Sequence, residues 1–406
     1  MSRVPEVEIP PFNPFTRSFI ANPYPTYRLL RAEEPVHWSP SLNAWLLTRH
    51  QDSVTALRDP RLGREPRNVE GMGDVQSSQS LGPFRRMQLQ WLVFRDPPDH
   101  TRLRTLLNKA FTYRVAERLR PKIQDVANHL LDQVQPANHM DIVADYAFPL
   151  PLMVIAELLG IPVEDRQLLR QWANDLVGAI DITETPEVIE RAGGVTLEFY
   201  DYLHDLLRLR RKDPKEDLMS ALISAEEQGD RLNEDELLGM CVFLLLAGHD
   251  TTLSLVGNGM LSLLRYPDQF ERLKREPALI HTAIEEFLRY ESPVQMTFRL
   301  AFVDMEIGDK AIQKGQYVCI SFGAANRDPD QFPDPDRLDI TRQENRHLAF
   351  GAGIHYCPGA PLGLIEGQIA INTLLKRMPK LRLDSDEPAW RRMVVFRGLQ
   401  SLPVSF

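Results

Sequence analysis

Apolar positions recur at three- and four-residue intervals along most of the chain and alternate with polar ones in only a few short stretches, so helices outnumber strands. Residues Pro23 to Ala32 read as a helix, His37-Trp38 and Ala44 to Thr48 as short strands, and about Gln51 to Leu57 as a second helix. Arg64 to Gln90 is rich in Gly, Ser and Gln with little periodicity, and so long a loop usually serves as a lid or binding loop. From Asp99 to about Arg265 the pattern is almost continuous helix, broken near Pro121, Pro136, Pro149-Pro151, Pro162, Pro186 and Pro214. After Pro267 come two more helices, a sheet-like stretch from Thr297 to Phe322 and a Pro- and Asp-rich coil from Ala325 to Leu338. A Gly-rich loop and a last helix, about Pro361 to Met378, follow. The expected fold class is mainly α with a minor β portion. Neither an internal repeat nor a low-complexity linker divides the chain, so one integrated domain over 1–406 is expected. Within it lie a β-rich portion of about 1–60, a helical bulk at 97–292 and a β-rich segment with the Gly-rich loop at 297–360.

Composition narrows the function classes. With 43% hydrophobic residues in 406, a large core is available and disorder is not expected. A net charge of −9 argues against nucleic acid as the main partner. The opening MSRVPEVEIPPFNPF carries prolines and charges where a signal peptide needs an apolar core, and no run approaches the ~18 consecutive apolar residues of a membrane span. Three cysteines, Cys241, Cys319 and Cys357, cannot build a disulfide framework, which points to a reducing, cytoplasmic setting without a membrane anchor.

Two segments carry candidate chemistry. Asn233 with Glu236 three residues on has capping-box spacing, and the next stop is Pro267, which allows a helix of about thirty residues, or ~45 Å. Met240 to Ala247 is apolar on every side, so this helix runs through the core. In its middle stands Ala247-Gly248-His249-Asp250-Thr251-Thr252. A mid-helix Gly costs about 1 kcal/mol relative to Ala, and a buried acid beside two hydroxyls is expensive unless partnered. Gly248 admits a ligand close to the backbone, and Thr251 can bond back to a carbonyl and open the helix locally; the alternative is a helix face turned to solvent. The second segment is Phe350-Gly351-Ala352-Gly353-Ile354-His355-Tyr356-Cys357-Pro358-Gly359. Its glycines let the backbone approach a flat ligand, and the helix beginning beyond it favours a thiolate. With no second cysteine nearby, the metal reading that remains is a single axial thiolate on haem iron. From these residues alone Cys357 is either that ligand or a small buried hydrophobe, which is the reading for Cys241 and Cys319.

These strings resemble the cytochrome P450 family over essentially the whole chain. Phe350-Gly-x-Gly-x-His-x-Cys357-x-Gly359 matches the haem-ligand signature, and Ala247-Gly248-x-Asp250-Thr251 the oxygen-activation segment. Glu286-Phe-Leu-Arg289 matches the ExxR pair, two positions that share a helix face. The resemblance implies a P450 fold, a triangular helical prism with a long central helix and small β-sheets, holding haem b (iron protoporphyrin IX) on Cys357. It places Arg337 as third member of the Glu286–Arg289 network, and His100, Arg104, Arg299 and His355 at the haem propionates. Phe350 and Gly248 then border the haem, and Trp91, Leu92, Phe94, Val177, Ile180, Leu244, Met296 and Phe396 wall an apolar substrate pocket. Ala283 to Met296, Gly323 to Pro329 and Gln368 to Pro379 are similar to the branch of soluble bacterial P450s holding macrolide hydroxylases and the biotin-pathway fatty-acyl P450.

The implied activity is a monooxygenase that activates O2, with Thr251 and Asp250 relaying protons, and hydroxylates or epoxidises a lipophilic compound. Electrons come from a ferredoxin and its reductase, and the enzyme is expected to be a monomer. Three departures qualify this. Pro358 stands where Leu is usual and removes one N–H donor to the sulfur, Asp250 replaces the commoner Glu, and Gly363-Leu364 replaces Ala-Arg. Cys-Pro-Gly also occurs in peroxide-driven fatty-acid hydroxylases of the family, the alternative reading, which Asp250-Thr251 opposes. A haem-binding sensor without catalysis is a third.

Overall fold

The capping box at Asn233 opens the longest helix among the described residues, Glu234–Arg265: Asn233 Oδ1 accepts the Glu236 N–H at 2.8 Å, and Glu236 accepts the Asn233 N–H at 2.9 Å. The computed structural model describes residues 12–70, 72, 81–227 and 232–406. The first eleven residues of the supposed leaderless start and positions 71 and 73–80 of the Gly/Ser/Gln loop lie outside them. Most of the central helix is buried on every side, as its all-round apolar run requires. It packs against Pro149–Leu159, Ile280–Tyr290 and Ala360–Arg377, so three helices hold it in the main core. This helix and the stretch Ile142–Leu159 are long and apolar enough to cross a membrane, which the run-length reading did not register. Their apolar windows are 78% and 67% buried inside the protein, the signature of core helices.

A five-stranded sheet flanks the helices in the order Val36–Ser39, Ala44–Leu47, Tyr317–Ser321, Met296–Ala301, Leu62–Gly63. Only the Ala44–Leu47/Tyr317–Ser321 pair is parallel. The pleat puts Thr297 and Arg299 on one face of their strand. Cys241 and Cys319 are fully buried, and burial pushes the Cys241 thiol up to about 12.

Several short elements escape the hydrophobic pattern, three of them as follows. Pro83–Gln88 is a helix inside the supposed loop, carried by buried Phe84 and Met87, too short to show periodicity. His139–Asp141 interrupts the helical run as a strand, paired with Pro403–Ser405, which also pairs with Arg382–Leu383. Ile142–Ala147 is a π-helical turn leading into the helix that Pro149 begins.

Two buried polar pairs brace the core, one within a helix and one between helices. Glu286 and Arg289 are fully buried and joined by two bonds of 2.8 Å. The Arg289 guanidinium also donates to the carbonyls of Asn326, Pro335 and Arg337. Arg337 therefore enters this network through its backbone: its N–H closes a tight turn on Asp334, whose φ is +48°, and its side chain is exposed. The second guanidinium on Glu286 belongs to Arg342, at 3.1 Å. The other pair is Thr252 with Glu366 of the last helix, at 3.1 Å. Burial pushes the Glu366 carboxyl up to about 8 against the smaller downward pull of the Thr252 hydroxyl.

Replacing one partner of the ion pair, as in Arg289→Met, leaves the buried Glu286 carboxylate only the Arg342 guanidinium and is expected to cost about 3–5 kcal/mol of stability in denaturant unfolding. Glu366 makes a pH prediction. Its raised value means the fold keeps a proton that the unfolded chain releases above about 4.5. Its contribution is therefore full at low pH and lost as pH rises through about 8. Glu366→Gln should gain stability relative to wild type between pH 5 and pH 8.5; denaturation midpoints at the two pH values measure it.

Candidate active site

The cysteine loop is built by backbone conformations that only glycine takes easily. Gly351 and Gly353 have φ of +71° and +70°, and a Cβ at Gly353 would lie 2.5 Å from the Leu57 carbonyl oxygen. The Cys357 N–H donates to the Phe350 carbonyl at 2.9 Å, closing the loop. The next helix begins at Ala360, and the N–H groups of Gly359 and Ala360 point to the sulfur, so two donors remain although Pro358 supplies none. Burial pushes the thiol up; those two donors and the Arg104 guanidinium oppose it.

Cys357 lines a cavity of about 500 Å³, and the central helix forms part of the opposing wall. Ala247, Gly248 and Thr251 are the half-buried positions of an otherwise buried stretch, so the face they share is the one turned to the cavity. Where a Cβ would stand at Gly248 the protein offers only Ile155, at 3.6 Å, so the space Gly248 leaves belongs to the cavity. Thr251 donates its hydroxyl to the Ala247 carbonyl at 2.6 Å, but the helix stays continuous rather than opening. Asp250 is buried and held by Arg391 at 2.5 and 3.2 Å, with Arg391 also donating to Ser254.

One rim of the cavity is cationic. His100, Arg104, Arg299 and His355 all line it, with the two imidazoles 4.4 Å apart. Burial, then the Arg104 charge, lowers His100 to about 4. Burial lowers Arg299 to about 10, and burial followed by the Arg64 charge drives His355 far down. His100 Nε2 is buried without a partner. Phe350 borders the same space. The rest is apolar: Trp91 stacks on Phe94 at 6.0 Å, and Leu92, Val177, Ile180, Leu244, Met296 and Phe396 complete the wall. Phe396 sits on a loop fixed by Asp181, whose carboxylate accepts the N–H groups of Val394, Val395 and Phe396.

Every cofactor-contact, oxygen-activation and pocket residue read from the sequence thus lines one cavity, whereas Glu286, Arg289 and Arg337 do not. Three participants were not read: Arg391 on Asp250, Glu366 on Thr252, and Arg64, a third guanidinium of the rim. Each pair joins positions more than 100 residues apart, and no local spacing announces it. Among the described residues no three His, Cys, Asp or Glu side chains converge as a metal site. A lone sulfur beneath a broad cavity, with cations and an unpartnered buried imidazole nitrogen at its rim, fits a dianionic haem held by a single thiolate.

Comparison with known proteins agrees. Residues 187–389 match the family model described as Cytochrome P450. The Biotin biosynthesis cytochrome P450 of Bacillus subtilis (strain 168) is 41% identical over 391 residues, 96% of this chain and 97% of that one. The 6-deoxyerythronolide B hydroxylase of Saccharopolyspora erythraea is 39% identical over 412 residues, 100% and 99% of the two. The crystal structure of P450BioI in complex with hexadec-9Z-enoic acid ligated Acyl Carrier Protein superposes with a TM-score of 0.90 at 40% identity, covering 96% of this chain and 99% of that one. With the cysteine loop and the polar segment of the central helix facing one cavity, and likeness over nearly its whole length, the chain belongs to the cytochrome P450 family of haem-thiolate monooxygenases.

Proposed function

We propose that this P450 hydroxylates or epoxidises a lipophilic small molecule, of macrolide, terpenoid, steroid or fatty-acyl type, with electrons delivered by a ferredoxin and its reductase. The observation that carries it is the single cavity bordered by Cys357 and by Gly248 and Thr251, its remaining walls largely aromatic and aliphatic. The relatives support the substrate class: one is named a 6-deoxyerythronolide B hydroxylase, and another is in complex with a fatty acid ligated to acyl carrier protein. We read the protein as a cytoplasmic monomer with residues 1–406 in one domain.

Cys357 would hold the haem as its thiolate ligand and donate electron density to it, and the group would supply O2 reduction and oxygen insertion. His100, Arg104, Arg299 and His355 hold and orient it by its propionates, in a site shielded from water. Thr251 spends its own proton on the Ala247 carbonyl, so Oγ1 offers lone pairs to a protonated group at the cavity centre. Asp250, next along the helix, carries protons inward when its carboxylate leaves Arg391 and returns to that fork afterwards. Trp91, Phe94, Val177, Ile180, Leu244, Met296 and Phe396 exclude water and seat the apolar substrate.

Cys357→Ala is expected to abolish haem retention or its thiolate signature, read as the reduced carbon-monoxide spectrum; an unchanged spectrum refutes the ligand assignment. Thr251→Ala should bind substrate with unchanged spin-state response while product per reduced cofactor falls by about one to two orders of magnitude, the loss appearing as peroxide. Intact coupling would remove Thr251 from the proton path. Turnover supported by peroxide that exceeds turnover with ferredoxin would favour the peroxide-driven alternative.

A further inference from the structure

The charged groups around the cavity fall into two sets. Most are satisfied within the chain: Asp250 is ion-paired with Arg391, Glu184 with Arg85, and Asp181 is hydrogen-bonded by the amides of 394–396. Glu366 accepts from Thr252. Three guanidiniums remain: Arg64, Arg104 and Arg299. The carboxylate acting on Arg64 and Arg299 is Asp96. Its oxygens already accept the backbone N–H groups of Arg64 and Glu65 and the Asn68 side chain. Three positive charges against one negative leave two, the complement of a dianion.

Arg104 and Arg299 have a role in the haem reading of this site, and Arg64 has none. Yet the chain holds Arg64 beside Arg299 against their mutual repulsion. Arg64 Nη2 donates to Thr297 Oγ1 at 2.7 Å, and Arg299 Nη1 lies 3.4 Å from the same oxygen. One neutral hydroxyl does not offset two like charges. Arg64 Nε is buried without a partner. Its guanidinium sits 5.9 Å from the Phe94 ring centre, and its backbone N–H is fixed by Asp96 at 2.9 Å, so the side chain is preorganised. We propose that Arg64 is a fifth propionate-binding residue, acting with Arg299 to hold the haem. Without it two guanidiniums face Asp96 and the dianionic haem, one negative charge is left over, and the unbalanced anion is the propionate.

This inference rests on haem occupying the cavity, and its test separates the two. Holoenzyme is prepared as wild type, Arg64→Leu and Arg64→Lys, and haem loss to excess apomyoglobin and the reduction potential are measured. Arg64→Leu should lose haem about tenfold faster, the cost of one charge-assisted hydrogen bond, with a more negative potential and an unshifted thiolate carbon-monoxide band. Arg64→Lys, which restores the charge, should recover the potential and part of the retention. If Arg64→Leu loads haem poorly, the lysine variant alone decides: retention and potential equal to wild type with charge kept, set against poor loading without it, support the assignment, and poor loading in both overturns it. Unchanged haem loss and potential in Arg64→Leu also overturn it. So does a variant that keeps haem but loses affinity for palmitate and not for its methyl ester, which would make Arg64 a substrate-carboxylate residue. Absence of a thiolate band in wild type would instead refute the haem reading itself.

Discussion

The site depends on carrying polar groups through the middle of a buried helix. An acid, two threonines, a histidine and an asparagine are among the polar residues of an apolar helix of thirty-two, and each needs a partner the helix cannot supply from its own side chains. Thr251 turns to its own carbonyl ladder. The others reach outward: His249 to the Phe148 carbonyl, Asp250 to Arg391, Thr252 to Glu366, Asn258 to the carbonyls of Glu291 and Arg397. Those partners lie on the three surroundings that must be placed for chemistry. Arg391 and Arg397 flank the loop that ends the pocket at Phe396, Glu366 sits on the helix that follows Cys357, and Phe148 heads a packing helix. The same polar residues that serve the reaction therefore set the geometry around it.

This explains an asymmetry in what the sequence discloses. The cysteine loop is legible because its constraints are local: two glycines at positive φ, one amide closing on the Phe350 carbonyl, a helix starting at Ala360. The Glu286–Arg289 pair is legible because three residues apart on a helix means one face. The capping box at Asn233 is legible for the same reason. Arg391, Glu366, Arg342 and Arg64 are not, because each acts across the tertiary fold, and among twenty-odd percent charged residues no spacing marks them. Arg337 shows the converse error. A motif placed it correctly along the chain, but the turn at Asp334 presents its carbonyl rather than its guanidinium.

The short elements were hidden for a different reason. A three-residue strand such as His139–Asp141 has no period to detect, and it exists because Pro403–Ser405 arrives beside it from the far end of the chain. The six residues from Pro83 are helical because Phe84 and Met87 find the core, where tertiary burial overrides a locally featureless stretch. Both lie where chain ends or loops return to the helical body, and the second places Arg85 at the cavity wall opposite Glu184.

Charge sets the last constraint. A cavity that must take in a flat dianion cannot neutralise its own cations beforehand, or nothing would favour the ligand over water. It also cannot scatter them, because the walls must stay apolar for a lipophilic substrate. The chain resolves this by confining its unneutralised guanidiniums to one rim, while the carboxyl side chains at the wall are ion-paired or hydrogen-bonded within the fold. Asp96 is the hinge of that arrangement. Its carboxylate accepts the amides of 64 and 65 and the Asn68 side chain, so it anchors the segment bearing Arg64 while offsetting only one of the three guanidinium charges. Two positive charges then remain at the rim, and that makes it selective for an anion bound to an otherwise apolar plane.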